Sequence, residues 1–222
     1  MLDLSDKEQI TTLFFVRDLK CSSNLLFLTK KGYIKKVSLS RFENIRKKGI
    51  IAIILKENDE LIDVKNVNEN DNLIIATYLG RAICINESEI KESNRLSRGV
   101  RGIKLKENDY AIGLIIINKK ETLFVITENG FGKRTKYEEY NKKHKGTYGV
   151  KTIITNLRNG NVSKLLSISE RDELIITSSK GIIIRIEALK INCFKRNTQG
   201  IKIMNVNKDD KISSVVRITN EI

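Results

Sequence analysis

The chain has 222 residues, of which 41 are Lys or Arg and 27 are Asp or Glu, so its formal net charge is +14. A hydrophobic content of 40% excludes an intrinsically disordered chain, and apolar runs such as residues 114–117 are too short to cross a bilayer. The excess of positive charge makes a polyanion the leading class of partner.

Strand signals begin near the first residues. A predicted strand over residues 10–16 follows the polar stretch "LSDKE", and a hairpin follows with Gly32 at its turn. A polar connector over 38–49 leads to a strand preceded by the small residue Ala52. The turn "KEND" then returns the chain to a strand of the first type.

This order of elements recurs at a fixed interval. The hairpin glycines lie 48, 50 and 51 residues apart, and strands of the first type recur every 50 or 51 residues. The hairpin glycines are Gly32, Gly80, Gly130 and Gly181. Strands of the first type align through Ile10, Leu61, Ala111, Val162 and Ile212. The small residues before the remaining strand are Ala52, Gly102, Gly149 and Gly200.

A unit of about four short strands in about 50 residues is typical of a propeller blade. The sequence therefore predicts one all-β domain over 1–222, built of stacked four-stranded blades. We expect an incomplete, open array, because strands of the first type outnumber the hairpins by five to four. The expected repeats are 1–17 (partial), 18–67, 68–117, 118–168 and 169–222.

Positive charge concentrates in the connectors, which hold 14 basic and 7 acidic residues over 38–49, 86–99, 136–149 and 187–200. The basic residues gather beside the glycine that ends each connector, in phase with the repeat. Stacked blades would align these clusters along one edge, which suits the phosphates of duplex DNA. The predicted DNA-binding residues are Lys35, Lys36, Arg41, Arg46, Lys47, Lys48, Arg95, Arg98, Arg101, Lys133, Arg134, Lys142, Lys143, Lys145, Arg185, Lys195 and Arg196.

Several chemistries have no support in the sequence. Cys21, Cys84 and Cys193 are widely spaced and are expected to be reduced thiols. His144 is the single histidine and lies in the polar run "NKKHKGTYG", so neither a zinc site nor a Ser-His-Asp triad is expected. Low aromatic content and the absence of Trp disfavour base stacking on single strands.

Three stretches together resemble the C-terminal domain of the bacterial DNA gyrase A protein and, less closely, that of topoisomerase IV. They are "SRGVRGIKLKEND" (97–109), "TENGFGKRTKYEEY" (127–140) and "KRNTQGIKI" (195–203). The resemblance implies a β-pinwheel, a propeller-like disc of about six blades with an altered strand order, and duplex DNA wrapped on its basic outer rim.

The resemblance also implies which activities belong to this domain and which belong to other parts of the holoenzyme. The domain itself would not cut DNA and would hold no cofactor, while the holoenzyme uses ATP and Mg on other domains. The implied partners are duplex DNA, the gyrase B protein and the breakage-reunion domain of the same gyrase A polypeptide. The implied location is the bacterial cytoplasm, at the nucleoid, with no membrane association.

One departure from the family pattern concerns wrapping. The family's first blade carries a Gln-Arg-Arg-Gly-Gly-Lys-Gly box, whereas "IRKKGI" (45–50) has the charge without the Gln and the paired glycines. A chain without the box would bind DNA and wrap it poorly. The alternative function is a protein-interaction propeller whose central face grips an acidic partner. A propeller hydrolase is disfavoured because paired inward carboxylates and a nucleophile elbow are missing from the sequence pattern.

Overall fold

The computed structural model describes residues 10–13, 16, 23–45 and 49–219. Three of the predicted DNA-binding residues, Arg46, Lys47 and Lys48, lie outside these residues, as do Cys21 and most of the partial repeat 1–17. Residues 10–13, where a first strand was expected, have no strand conformation.

The described part of the chain contains fifteen strands and four short 3-10 helices. The strands are β1 (Asn24–Thr29), β2 (Tyr33–Ser38), β3 (Leu61–Val67), β4 (Asn72–Thr77), β5 (Arg81–Asn86), β6 (Val100–Arg101), β7 (Ala111–Ile116), β8 (Thr122–Thr127), β9 (Phe131–Lys136), β10 (Val150–Lys151), β11 (Val162–Ile168), β12 (Glu173–Ser178), β13 (Ile183–Glu187), β14 (Ile201–Lys202) and β15 (Ile212–Ile218). The 3-10 helices are η1 (Leu39–Phe42), η2 (Glu87–Glu89), η3 (Tyr137–Glu139) and η4 (Ala188–Lys190).

These strands form four antiparallel sheets with the orders β3-β1-β2-β6, β10-β5-β4-β7, β11-β8-β9-β14 and β13-β12-β15. Each sheet is built on one predicted hairpin, and the turn glycine of every hairpin has a positive φ, for example 76° at Gly32. The predicted all-β class is confirmed, and the predicted four strands are present in three of the four sheets.

The fourth strand of a blade comes from the next repeat. Arg101 pairs with Tyr33 and Val100 with Ile34, although β6 follows the second hairpin in sequence. The strands β10 and β14 pair in the same way with β5 and β9 of the preceding blades. Each of the last three repeats therefore has four strands, as predicted, but one of these strands completes the sheet of the preceding repeat. Repeat 18–67 has three described strands, because residues 49–60, where a strand was expected after Ala52, have no strand conformation.

This exchange also corrects one of the glycine alignments. The residues directly before the exchanged strands are Gly99, Gly149 and Gly200. Gly102, which the sequence pattern placed before a strand, follows β6 and packs against Ile34 and Ile75.

The blades stack through their third strands and through apolar side chains between neighbouring sheets. The strand β7 contacts both β3 and β11, and β11 contacts β15, so these third strands form the inner edge of the array. The first inter-sheet cluster joins Leu26 and Ile34 of one sheet to Ile75 and Leu114 of the next, all fully buried. The exchanged strands lie at the opposite edge, here called the rim.

Each blade has two ends. The tip face carries the hairpin turns, at residues 30–32, 78–80, 128–130 and 179–181, together with the turns that precede the third strands. The base face carries the four 3-10 helices and the turns 68–71, 118–121 and 169–172.

Substitution of Gly200 tests the rim geometry. Gly200 has φ 75°, and an added Cβ would lie 2.5 Å from the backbone oxygen of Gly132. Gly181 has φ 88° with nothing within 4 Å of its added Cβ, which makes it the matched control. We expect Gly181→Ala to lower the unfolding free energy by about 1 kcal/mol through φ strain, and Gly200→Ala to cost roughly 1–3 kcal/mol more through the clash. Equal losses in urea titrations would contradict the close packing of the rim.

Candidate nucleic-acid interface

The rim is formed by three equivalent stretches of eleven residues, 91–101, 141–151 and 192–202, here called the rim segments. Together they carry eleven Lys or Arg side chains and one carboxylate, Glu92. The cations are Lys91, Arg95, Arg98, Arg101, Lys142, Lys143, Lys145, Lys151, Lys195, Arg196 and Lys202. The charge that the sequence placed in the connectors therefore lies on the outer edge of three consecutive blades.

The rim segments are attached to the preceding blade in the same way. The amide of Ser93 donates to Lys36 O at 2.9 Å, and the amides of Lys143 and Phe194 donate to Cys84 O and Arg134 O at 2.8 and 2.9 Å. Each segment then bulges outward before its glycine brings it back into the sheet. The side chains of this part of the segment face solvent, because its backbone is hydrogen-bonded to the blade on the inner side.

Two predicted DNA-binding residues provide that support from inside. Lys133 is fully buried, and its ammonium donates to Lys195 O and Arg196 O at 2.6 Å each and to Thr198 Oγ1 at 3.0 Å. Burial lowers the pKa of Lys133 to about 8. The side chain holds the rim segment and is not available to a phosphate on the rim.

Lys35 has the same role in the first blade. It is 1% exposed, and its ammonium donates to Ser97 O at 3.2 Å, to Arg95 O, and to Ala52 O at 2.8 Å. Burial lowers the pKa of Lys35 to about 8 as well. In the second blade the equivalent position is the buried Ile83.

Lys36 and Arg134 are also buried within the blades. Lys36 forms an ion pair with the buried Glu87. Arg134 donates to Ile191 O at 2.7 Å and to Glu170 at 3.1 Å. Direct phosphate contact, which was predicted for Lys35, Lys36, Lys133 and Arg134, does not fit the places that the structure gives them, since β2 and β9 are covered on both faces.

The other described candidates divide into three groups: exposed on the rim, half-buried on the rim, and away from the rim. Arg98, Arg101, Lys142, Lys143 and Lys195 are exposed on the rim.

Arg95, Lys145 and Arg196 are half-buried there, and Arg95 and Arg196 each donate to a backbone oxygen of the repeat before their own. Arg41 lies on η1 near Glu92 at 3.6 Å, and Arg185 lies on β13, paired with Glu173.

Sequence reasoning named Arg101 but missed the other cations on the tip side of the rim. Lys56 Nζ lies 4.0 Å and Arg101 Cζ 5.6 Å from the ring centroid of Tyr33. The pKa of Tyr33 is lowered, first by the hydrogen bond from Lys56 and then by that from Arg101.

The third blade repeats this arrangement with Arg158 and Lys202 at 5.2 and 4.8 Å from the ring centroid of Phe131. The sequence does carry a signal for these tip-side cations. A basic residue, Arg101, Lys151 or Lys202, stands two places after the glycine that precedes each exchanged strand.

The single histidine belongs to a clasp between the base face and the rim. Glu89 accepts hydrogen bonds from the amide of Lys145 at 3.0 Å and lies 2.7 Å from His144 Nδ1. The hydrogen bond from the backbone amide of Lys145 is the main cause of the lowered pKa of Glu89. The clasp gives His144 a structural contact.

The central part of the tip face holds a depression of about 440 Å³, lined among others by Tyr78, Tyr110 and Lys30. The two rings stack with centroids 4.5 Å apart. Two of its three cations are paired with carboxylates, Lys30 with Glu60 at 3.1 Å and Lys211 with Glu128 at 2.9 Å, and the third, Lys164, is exposed. Because most of its positive charge is neutralised locally, the depression suits an acidic partner less well than the rim does.

Within the residues that the structure describes, no cluster of His, Cys, Asp and Glu could hold a metal ion. None of the helices among those residues is long and apolar enough to span a membrane.

Stacked four-stranded blades that exchange a rim strand define the propeller-like class called the β-pinwheel. A family profile described as "DNA gyrase C-terminal domain, beta-propeller" matches four times, over residues 23–68, 71–118, 121–169 and 172–219. The chain therefore belongs to the family of gyrase A C-terminal domains, which is not itself catalytic. The resemblance seen in the sequence is confirmed.

Individual relatives agree with this assignment. The DNA gyrase A protein of Clostridium acetobutylicum (strain ATCC 824) is 41% identical over 221 residues, which cover 100% of this chain and 27% of the relative. A solved gyrase A C-terminal domain has a TM-score of 0.88 at 27% identity, covering 98% of this chain and 73% of that one.

A topoisomerase IV C-terminal domain has a TM-score of 0.90 at 26% identity, covering 97% of this chain and 68% of that one. The chain spans about a quarter of the length of the gyrase A relatives it matches.

Removal of Lys133 tests its structural role through pH. Between about 8 and the ordinary value of 10.5 the unfolded chain binds a proton that the folded chain has lost, so Lys133 makes stability rise with pH, by up to about 1.4 kcal/mol per pH unit. In urea titrations from pH 7.5 to 9.5, wild type should therefore gain stability relative to Lys133→Met. The control is Lys136→Met, an exposed lysine on the same strand, whose curve should run parallel to wild type. A parallel curve for Lys133→Met would disprove the burial.

Proposed function

We propose that this chain binds duplex DNA along its rim and guides the path of that DNA as a module of a type IIA topoisomerase. The observation that carries the proposal is the arrangement of eleven cations and one carboxylate on the outer edge of three stacked blades. A cluster of three or four cations recurs once per blade, so the clusters form a row of charge rather than an isolated patch. A row of point charges suits a regular phosphate backbone.

The contacts are of the backbone-positioning kind. The rim presents Lys and Arg side chains on short loops, and the described residues contain no α-helix that could enter the major groove. Binding is then sequence-independent, and its affinity falls steeply as salt rises, because each neutralised phosphate releases counterions.

Wrapping follows from the stacking. Sheets that repeat radially around a centre are rotated relative to one another, so a duplex that follows successive rim segments must bend. In a gyrase holoenzyme such a bend presents a crossed DNA segment to the breakage-reunion domain, and ATP-driven passage then introduces negative supercoils. Cleavage, ATP and Mg belong to other domains and to the gyrase B protein in this proposal, which places the chain in the bacterial cytoplasm at the nucleoid.

The second candidate function is the capture of an acidic protein at the central depression. Its cations Lys30 and Lys211 are already paired within the molecule, which is why the rim is preferred. The two functions differ in their dependence on ligand length, because a rim binder gains affinity from a longer duplex whereas a central pocket does not.

Neutralisation of one rim segment tests the DNA contact. The triple variant of Lys142, Lys143 and Lys145 to Gln should lower the slope of log affinity against log salt by roughly two to three units, since each lost phosphate contact removes about 0.9. The matched control is the triple variant of Lys119, Lys120 and Lys136 to Gln, which removes the same charge from the base face. Fluorescence anisotropy with a long duplex measures both slopes. An unchanged slope for the rim variant removes this segment from the DNA path.

Wrapping is tested by religating a nicked plasmid in the presence of the purified chain. A wrapped duplex changes the linking number of the product, and the sign gives the hand of the wrap. Binding without a change in linking number would overturn the proposed wrapping and leave the rim contact with DNA standing.

A further inference from the structure

The rim is not electrically uniform from tip to base. The base-face segments carry twelve carboxylates and six cations, counted over 39–43, 68–71, 86–90, 118–121, 136–140, 169–173 and 187–191. Five of these carboxylates pair with four cations outside the segments, namely Glu87 with Lys36, Glu170 with Arg134, Glu173 with Arg185, and Glu121 and Asp172 with Arg217. With these partners included, the base face keeps a small excess of carboxylates, whereas the rim segments carry a large excess of cations. A phosphate chain that approaches the rim therefore meets a weakly negative surface on its base side.

Tip-side cations recur in the three blades that have an exchanged strand. Each set combines one residue of the turn before a blade's own third strand with one residue of the strand donated by the next repeat. The sets are Lys56 with Arg101, Lys106 with Lys151, and Arg158 with Lys202. We call them the tip-side pairs.

In the first and in the third pair, an aromatic ring lies beside both cations and keeps them on the outer surface. Tyr33 and Phe131 are the first residues of β2 and β9, next to the hairpin turn, and each lies beside both members of its pair. In the second blade this position is Arg81, whose Nε donates to Gly149 O at 3.1 Å. That blade therefore has a third cation in place of the ring.

Distance decides how the two faces act on a bound duplex. A six-residue strand is about 20 Å long, whereas electrostatic interactions are screened over about 8 Å at physiological salt. The base-face carboxylates therefore do not cancel the attraction at the tip side, and they still repel phosphates near themselves.

We propose that the duplex runs along the tip-side half of the rim, with phosphates on the three tip-side pairs, and stays clear of the base face. The inference rests on the proposed DNA-binding function and adds the path of the DNA across the rim. Because each pair joins two repeats, a bound phosphate chain holds each exchanged strand on its acceptor blade.

The second pair gives the cleanest test, because neither Lys106 nor Lys151 contacts a ring in the described structure. The double variant Lys106→Gln with Lys151→Gln should lower the salt slope of duplex binding by about 1.8, two phosphates at 0.9 each. The double variant to Arg keeps the charge and should retain the wild-type slope. The matched control, Lys119→Gln with Lys120→Gln on the base face, should also leave the slope unchanged.

The outcomes distinguish a failure of the tip-side path from a failure of the proposed DNA-binding function. A wild-type chain that fails to bind duplex overturns both. Wild-type binding with a reduced slope in the Lys142, Lys143 and Lys145 variant, but an unchanged slope in the Lys106 and Lys151 variant, overturns the tip-side path and leaves rim binding standing. An equal loss in the Lys119 and Lys120 control overturns it as well. Thermal unfolding followed by circular dichroism shows whether a variant has lost its fold.

Discussion

The docking of each rim segment on the preceding blade is the constraint on which the rest of the molecule depends. The outermost long strand of a blade would otherwise present a free edge of amides and carbonyls, and such edges promote aggregation. An exchanged strand of two residues covers the tip half of that edge, as in the pairing of Arg101 with Tyr33. A single parallel bridge, such as that between Lys36 and Glu92, continues the cover toward the base. The same contact that closes the sheet also places the cations on the outside.

The blades support these segments by two different electrostatic means. In the first and third blades, a buried ammonium donates hydrogen bonds to carbonyls on the inner side of the loop. In the second blade Ile83 replaces the lysine, and the carboxylate of Glu89 accepts the amide of Lys145 instead. A buried ammonium is costly unless all its donors are used, and Lys133 uses three. The loop backbone is therefore fixed by a charge in each blade, from inside in two and from the base face in one.

The sequence predicted the repeat, the hairpins and the presence of charge on one edge, because these depend on local signals. Turn glycines, β-branched runs and a constant interval near 50 residues are all visible in one dimension. Strand exchange is not, since the period is the same whether Val100 pairs within its own repeat or with Ile34 of the preceding one. The burial of four predicted DNA-binding residues, Lys35, Lys36, Lys133 and Arg134, was missed for a related reason. A lysine in a strand suggests an exposed face, but β2 and β9 are covered on both sides, and the carbonyls that accept from Lys133 come from a loop about 60 residues away.

The exchange has a consequence for how ligand binding and folding are coupled. A ligand that binds only the assembled rim stabilises it by mass action, in proportion to its concentration over its dissociation constant. Each tip-side pair takes one cation from a blade's own turn and one from the strand donated to it. The affinity for the ligand therefore depends on whether the donated strand is paired with the blade. The rim loops themselves are held by the buried lysines and by Glu89, independently of any ligand. In the proposed complex DNA would bind a surface that is already formed, and charges positioned before binding lose little conformational entropy when a phosphate arrives.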